Sequence, residues 1–288
     1  HSADFLPRFG FARERVLQDS IERVRYGLPV MPDVPLLPAT LADSLVREVR
    51  GHGHTPAWFT ADVRIETDRD QIAHGPGRLV SHESTAATSR WTYQQTTPST
   101  AAFVITSGRY AVLRDSARTK FGVVPVEVWY NPRHAEPAKR LMSVSASALI
   151  SLANAFGRYP HPVLRVVEVS SQHRFGAYAM PGTIYLTETR GMLSDLRAGA
   201  VDLLRRRVGH EVAHQWWGHA VDPLNVVGRL LLVETMAKYA EQLLVAETQG
   251  ETTVHDMLTY DEDRYFRSRD AHQPALVDMV ADDALFYG

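Results

Sequence analysis

The sequence predicts an α+β protein in which an N-terminal antiparallel β module precedes a mostly helical domain. Between residues 57 and 130, five runs rich in β-branched and aromatic residues are separated by turn sequences such as His74-Gly75-Pro76-Gly77. After Pro132 the apolar pattern changes to the longer period that is typical of helices. A β stretch followed by a helical stretch favours an α+β architecture, with the boundary near residue 132.

The individual elements follow from the same patterns. Strands are predicted at residues 57–66, 77–81, 88–95, 102–113 and 123–130, and further buried strands at 163–169 and 183–186. Helices are predicted at residues 19–26, 40–50, 136–156, 198–219, 230–249 and 253–266. We therefore divide the chain into an irregular segment (1–55), the β module (56–132) and a helical domain (133–288), which we expect to be truncated at its C-terminal end.

Composition excludes several classes of function. The 288 residues carry a net charge of -2, so nothing suggests a nucleic-acid partner, which normally requires a basic excess. There is no cysteine, so any metal ion must be bound by His, Asp or Glu. No run reaches the roughly 18–20 apolar residues that a membrane-spanning helix needs.

A metal-binding motif lies in the predicted helix at 198–219. His210 and His214 are four residues apart, so their imidazoles lie on one helical face and can bind one ion. Glu211 lies beside them, within reach of a water molecule on that ion. The pattern H-E-x-x-H thus supplies two ligands and a general base, as in catalytic zinc sites.

A third ligand is expected from the next helix. Glu234 is a lone carboxylate in an apolar stretch, where burial would be costly unless it bound a metal ion or another partner. Glu241, two turns further on, could orient a liganding histidine through a hydrogen bond, although a solvated position is equally compatible with the pattern. His52, His54, His74 and His82 are expected at ordinary surface positions.

These residues resemble a known family. The stretch His210-Glu211-Val212-Ala213-His214-Gln215-Trp216-Trp217-Gly218 is similar to the signature of the gluzincin aminopeptidases, the aminopeptidase N family. Nineteen residues separate His214 from Glu234, one more than is usual in that family. Over residues 57–288 the chain is most similar to the peptidase-like domains of bacterial ABC-transporter permease proteins, for example at 126–132, 157–160 and 181–184.

The resemblance implies a fold and further site residues. It implies a thermolysin-like catalytic domain in which His210, His214 and Glu234 hold Zn²⁺ and Glu211 is catalytic. Tyr287 matches the family tyrosine that stabilises the oxyanion. Ala177, Tyr178 and Ala179 match the segment that lines the substrate, but Ala179 stands where the family has the glutamate that binds the substrate amine. Glu188 could replace that carboxylate, or it could have a structural role at a strand end.

The resemblance also implies an activity and a location. We expect zinc-dependent hydrolysis of peptides by an aminopeptidase-like domain, with the requirement for a free N-terminus left open by Ala179. The alternative is a zinc-containing binding or regulatory module, without catalysis, in an ABC-transporter complex. In either case transporter subunits are the implied partners, and the implied location is the extracytoplasmic face of a bacterial membrane.

Overall fold

A five-stranded mixed β-sheet is the scaffold to which the other elements attach. The computed structural model describes residues 20–29, 58–99, 103–172, 176–193, 202–221 and 231–268. The strands are β1 (Phe59–Asp68), β2 (Ile72–His74), β3 (Arg78–Ser84), β4 (Thr88–Ser99), β5 (Thr106–Gly108), β6 (Ala111–Thr119), β7 (Gly122–Tyr130), β8 (Leu164–Val169), β9 (Ala177–Met180) and β10 (Thr183–Thr187). The helices are α1 (Ser20–Arg25), α2 (Ala135–Phe156), α3 (Glu188–Gly191), α4 (Leu203–Ala213), α5 (Met236–Gln249) and α6 (Glu251–Ser268).

The strand order of the main sheet is β6-β7-β8-β10-β9. The three central strands β7, β8 and β10 are parallel, whereas β6 and β9 pair antiparallel at the two edges. Parallel neighbours need a crossover connection, and α2 provides the one between β7 and β8. Its apolar face packs with Val126, Val128 and Val166 of the sheet in the largest core cluster.

The remaining strands form two smaller antiparallel sheets, with the order β1-β4-β3 and the ribbon β2-β5. Their own core contains Ala73, Trp91 and Tyr93. Arg165 of β8 connects this module to the main sheet, because its guanidinium lies 5.3 Å from the ring centre of Tyr93 and donates to the carbonyl of Gly75 at 3.3 Å.

The α+β prediction is confirmed, since antiparallel sheets precede a largely helical region. The sheet also shows how the parts are joined. The predicted boundary near residue 132 falls between β7 and β8, which are adjacent hydrogen-bonded strands of the main sheet. The β-rich and helical parts therefore share one sheet.

Several predicted elements have different bounds. The single strand expected at 102–113 is divided at Arg109-Tyr110 into β5 and β6, which belong to different sheets. The short strands β2 and β9 were not predicted. The helix expected at 198–219 ends at Ala213 in α4, because the chain then turns through Gly218, which has a φ of 111°. The helix predicted at 40–50 lies outside the described residues.

One histidine expected at the surface is buried. His74 is only 1% exposed, and its ring lies 5.2 Å from that of Trp129 and 5.8 Å from that of Tyr185. His82 is exposed as expected. Among the described residues, no helix is long and apolar enough to cross a membrane.

Candidate active site

Helix α4 carries the predicted motif and begins with a defined cap. The Asp202 carboxylate accepts a hydrogen bond from the backbone N–H of Arg205 at 3.0 Å, which satisfies one of the free donors at the helix start. The N–H of His214 still bonds to the carbonyl of His210 at 3.2 Å, so both histidines have helical spacing. Their side chains consequently lie on one face.

Glu234 enters from a π-helical turn, Leu231–Thr235, that leads directly into α5. A π turn closes its hydrogen bonds over one residue more than an α turn, and such turns are frequent at functional sites. The spacing from His214 to Glu234 is one residue longer than in the family, and this π turn can accommodate the extra residue. Residues 222–230, between the two elements, lie outside the described residues.

The three predicted ligands converge. His210 Nε2 lies 3.2 Å from His214 Nε2 and 3.3 Å from a Glu234 oxygen, and the other Glu234 oxygen lies 3.7 Å from His214 Nε2. Ligand atoms about 2.1 Å from a tetrahedral zinc ion lie about 3.4 Å from one another. The two imidazoles and the carboxylate therefore fit a Zn²⁺ ion in both chemistry and spacing.

The pKa values of the same residues also indicate that the site favours a positive charge. Burial disfavours protonation of His210, but the carboxylates of Glu234, Glu241 and Glu211 outweigh it and raise the pKa of the metal-free imidazole to about 9. Burial and the neighbouring His210 lower the pKa of His214 to about 4. In the metal-free chain, His210 and His214 therefore carry one proton between them. A bound metal ion would supply the positive charge at the same position.

Glu211 lies on the same turn and has the character of a general base. It is 8% exposed, and burial raises its pKa to about 7, with the charge of His210 acting in the opposite direction. A hydrogen bond from the backbone of Ala179 also reaches this carboxylate. A group with a pKa near neutrality can both accept and return a proton at physiological pH.

Glu241 is where the sequence analysis placed it as an orienting group. One carboxylate oxygen lies 3.6 Å from His210 Nδ1, and the other accepts a hydrogen bond from Arg206. Burial opposes its ionisation, but the adjacent His210 imidazole and the charges of Lys238 and Arg206 lower its pKa to about 2. It is therefore a buried anion, not the solvated side chain of the alternative interpretation.

The predicted substrate segment forms the edge strand β9. Tyr178 is half exposed, whereas Ala179 is buried and its backbone also bonds to His219. Gln215 was not predicted as a site residue, yet it is fully buried and clamps the turn after β9. It accepts from the Gly182 N–H at 2.7 Å and donates to the Met180 carbonyl at 3.2 Å. Only its position directly after His214 could have indicated this role.

Two further predicted residues have different outcomes. Glu188 was considered as a replacement for the amine-binding glutamate that Ala179 lacks. In the described contacts its carboxylate instead lies 3.6 Å from His134 Nε2. Tyr287 lies outside the described residues, so its assignment stays a prediction.

Comparison with known proteins agrees with this geometry. Residues 141–278 match the family model described as the peptidase family M1 domain. No curated protein gives a significant match. The fold resembles the M1 zinc metallopeptidase from Deinococcus radiodurans, with a TM-score of 0.59 and 24% identity over 82% of this chain and 51% of that one. A two-domain M1 zinc metallopeptidase bound to L-arginine is similar, with a TM-score of 0.56 and 25% identity over 75% of this chain and 45% of that one.

The chain thus spans about half the length of the solved structures that it resembles. The M1 match over residues 141–278 and the ligand geometry both agree with a zinc-metallopeptidase site. The predicted class and the predicted Zn²⁺ cofactor are confirmed by these matches.

Proposed function

We propose that this chain hydrolyses peptide bonds with Glu211 as the general base beside a zinc ion held by His210, His214 and Glu234. The observation that carries the proposal is the convergence of the His210, His214 and Glu234 ligand atoms within 4.8 Å, with the buried Glu211 carboxylate one position from the first ligand. A site with only a structural role has no need of such a group. A crystal structure of the Deinococcus radiodurans relative contains a Tyr-Ser-Ala substrate, which supports peptides as the substrate class.

The chain's own residues supply positioning and proton transfer. When bound, Zn²⁺ lowers the pKa of a water ligand toward about 7 and polarises the substrate carbonyl. Glu211 accepts the proton of the attacking water and returns it to the leaving amine. As an edge strand, β9 is placed to pair with an extended peptide, and Gln215 fixes the end of that strand beside the metal ligands.

Tyr287 is proposed to donate a hydrogen bond to the oxyanion that develops on the substrate carbonyl. The proposal rests on its resemblance to the family tyrosine. Replacing Tyr287 with Phe is expected to lower kcat by about 100-fold or more, as for other oxyanion donors, and to leave KM nearly unchanged. An unchanged kcat would remove Tyr287 from the mechanism.

Ala179 makes strict aminopeptidase specificity doubtful. A buried carboxylate that pairs with the substrate ammonium fixes the register of a peptide in an exopeptidase, and a methyl group cannot do so. We therefore propose that N-blocked peptides are also substrates. Aminoacyl-coumarin substrates and internally quenched, N-blocked peptides distinguish the two specificities, because only an endopeptidase cleaves the second kind.

The Glu211→Gln variant tests catalysis itself. Gln keeps the size of the side chain but cannot accept the proton, so hydrolysis of both substrate kinds should fall by at least about 100-fold while the zinc content is unchanged. A fully active variant would refute the assignment. A wild-type chain that holds one zinc ion but cleaves neither substrate would instead favour the non-catalytic binding module.

The parent protein is a separate proposal that rests on the sequence resemblance. We propose that the chain is an extracytoplasmic domain of a bacterial ABC-transporter-associated membrane protein. It predicts that the parent reading frame continues past Gly288 with Lys-Gly and then membrane spans. A topology reporter that is active only outside the cytoplasm, inserted after residue 288 of the parent protein, should be active. An inactive reporter would contradict the location.

A further inference from the structure

A second group of side chains of the types that bind metal ions lies at one edge of the main sheet. The strands β7, β8 and β10 are parallel, so their carboxyl ends meet at the same edge. His134 ends the 3₁₀ turn that follows β7, Glu168 is the penultimate residue of β8, and Glu188 directly follows β10. Ligand atoms of these three residues all lie within 4.8 Å of one another.

Glu168 orients the imidazole of His134. Its Oε1 lies 2.7 Å from His134 Nδ1, and its Oε2 accepts the backbone N–H of Asn131 at 2.8 Å. A separation of 2.7 Å is that of a hydrogen bond and is shorter than the roughly 3.4 Å between two ligands of one tetrahedral ion. Glu168, whose side chain is 6% exposed, therefore fixes the ring and leaves the Nε2 lone pair available.

The free nitrogen faces a second carboxylate. His134 Nε2 lies 3.6 Å from Glu188 Oε1, a spacing that two ligands of one ion can adopt. The Glu188 side chain is 32% exposed, so water can complete the coordination. Within the described part of the chain, His134 is the only basic side chain that pairs with either glutamate, so two carboxylates share this one imidazole.

We propose that His134 and Glu188 form a second site for a divalent transition-metal cation such as Zn²⁺, with Glu168 holding the imidazole in its binding orientation. With two protein ligands in place of three, this site binds zinc more weakly than the α4 site. It lacks a neighbouring general base in the described contacts, so its role is binding and not hydrolysis. The proposal does not depend on the peptidase activity.

The test is a zinc titration of the full 288-residue chain, by equilibrium dialysis against ZnCl₂ with metal analysis. The wild type should bind two zinc ions, the second at least about 10-fold more weakly than the first. Glu188→Gln should bind one, and His134→Gln should do the same. His82→Gln, which removes an exposed histidine of β3, is the matched control and should still bind two.

The outcomes separate the possibilities. Circular dichroism of each variant establishes that it is folded, and Glu188→Gln is the decisive one because its side chain is partly exposed. Loss of the weaker zinc ion in Glu188→Gln and His134→Gln alone supports the site. A wild type that binds a single zinc ion overturns the proposal, and so does a second ion that persists in Glu188→Gln.

Discussion

The two histidine–carboxylate groups of this molecule use similar residues but differ in what surrounds their nitrogen atoms. In the α4 group, two imidazole nitrogens and a carboxylate face one another at 3.2 to 3.7 Å. In the sheet-edge group, one imidazole nitrogen is already hydrogen-bonded to Glu168 and only Nε2 faces a ligand. The number of potential ligand atoms that converge, more than the residue types, therefore distinguishes the predicted three-ligand centre from the proposed weaker site.

Both groups also contain a carboxylate beside the Nδ1 atom of a histidine. Glu241 approaches His210 Nδ1 and Glu168 approaches His134 Nδ1. The α4 site adds Glu211, a buried carboxylate with a raised pKa that accepts a hydrogen bond from strand β9 and has no counterpart at the sheet edge in the described residues. Catalysis is thus expected at one site only, and the following changes test that difference.

Replacement of His214 with Ala should have the largest effect. It leaves two ligands, as at the sheet edge. The zinc affinity of the α4 site should therefore fall by far more than the roughly 10–100-fold that is typical when a residue that contacts a ligand, but not the ion, is lost. Hydrolysis should fall to background. The weaker zinc site should persist, since His134 and Glu188 are untouched. Zinc titration together with the peptide assays measures both effects, and retained hydrolysis would contradict the ligand assignment.

Replacement of Glu241 with Gln should have the next largest effect. Loss of the charge that faces His210 should weaken zinc binding by about 10–100-fold. Once zinc is saturating, KM should change little, because Glu241 is a positioning residue. The matched control is Asp261→Asn, since Asp261 contacts Arg206 and Lys238 but not His210 in the described structure. Equal loss of zinc affinity in both variants would show that general electrostatics, and not orientation, is responsible.

Replacement of Gly209 with Ala tests how close α4 and α5 must be. A methyl group at this position would overlap Leu244 Cδ1, and Leu244 is buried with 2% exposure. Overpacking costs about 1–3 kcal/mol, which exceeds the roughly 1 kcal/mol that Ala gains over Gly in a helix. We expect a lower free energy of unfolding in urea and weaker zinc binding, because α5 carries Glu241 and follows Glu234.

A double-mutant cycle provides the control for that prediction. In a Leu244→Ala background the space for the methyl group is available, so Gly209→Ala should then cost less or become stabilising. An equal cost in both backgrounds would show that contact with Leu244 is not the reason for glycine at this position.

The sequence was sufficient for the parts of the site that depend on local spacing. His210, Glu211 and His214 lie on one turn, and the i, i+4 rule predicts that the two imidazoles share a face. Glu234 could be proposed because an isolated carboxylate in an apolar helix needs a partner. The sheet-edge group has no such local pattern, because His134, Glu168 and Glu188 lie at or just after the ends of three different strands and meet only through the strand order.

The same distinction explains the errors in the fold. Strand β9 is four residues long and contains two alanines, so its identity depends on pairing with β10 and on Gln215. The run at 102–113 has a strand-like composition throughout, and tertiary contacts place its two halves in different sheets. His74 has no local feature that predicts burial between Trp129 and Tyr185.

His74 provides a further prediction, and it contrasts a buried histidine without a carboxylate among its described contacts with His210. Burial, together with the charge of Arg165, lowers the pKa of His74 to about 3. Between this value and the unfolded value of about 6.5, only the unfolded chain binds the proton, so the free energy of unfolding must decrease as the pH falls through this range. The contribution of one such group is at most about 1.4 kcal/mol per pH unit.

Urea denaturation of the metal-free chain at several values between pH 7 and pH 4 measures this slope. His74→Gln should be less stable at pH 7, because its contacts with Trp129 and Tyr185 are lost, but its stability should depend less steeply on pH than that of the wild type. His82→Gln should retain the wild-type slope, because this side chain is exposed in the folded chain. If His74→Gln and the wild type had parallel pH profiles, protonation of His74 would not be part of the acid sensitivity. The decrease in the free energy of unfolding at low pH would then have to come from other buried groups.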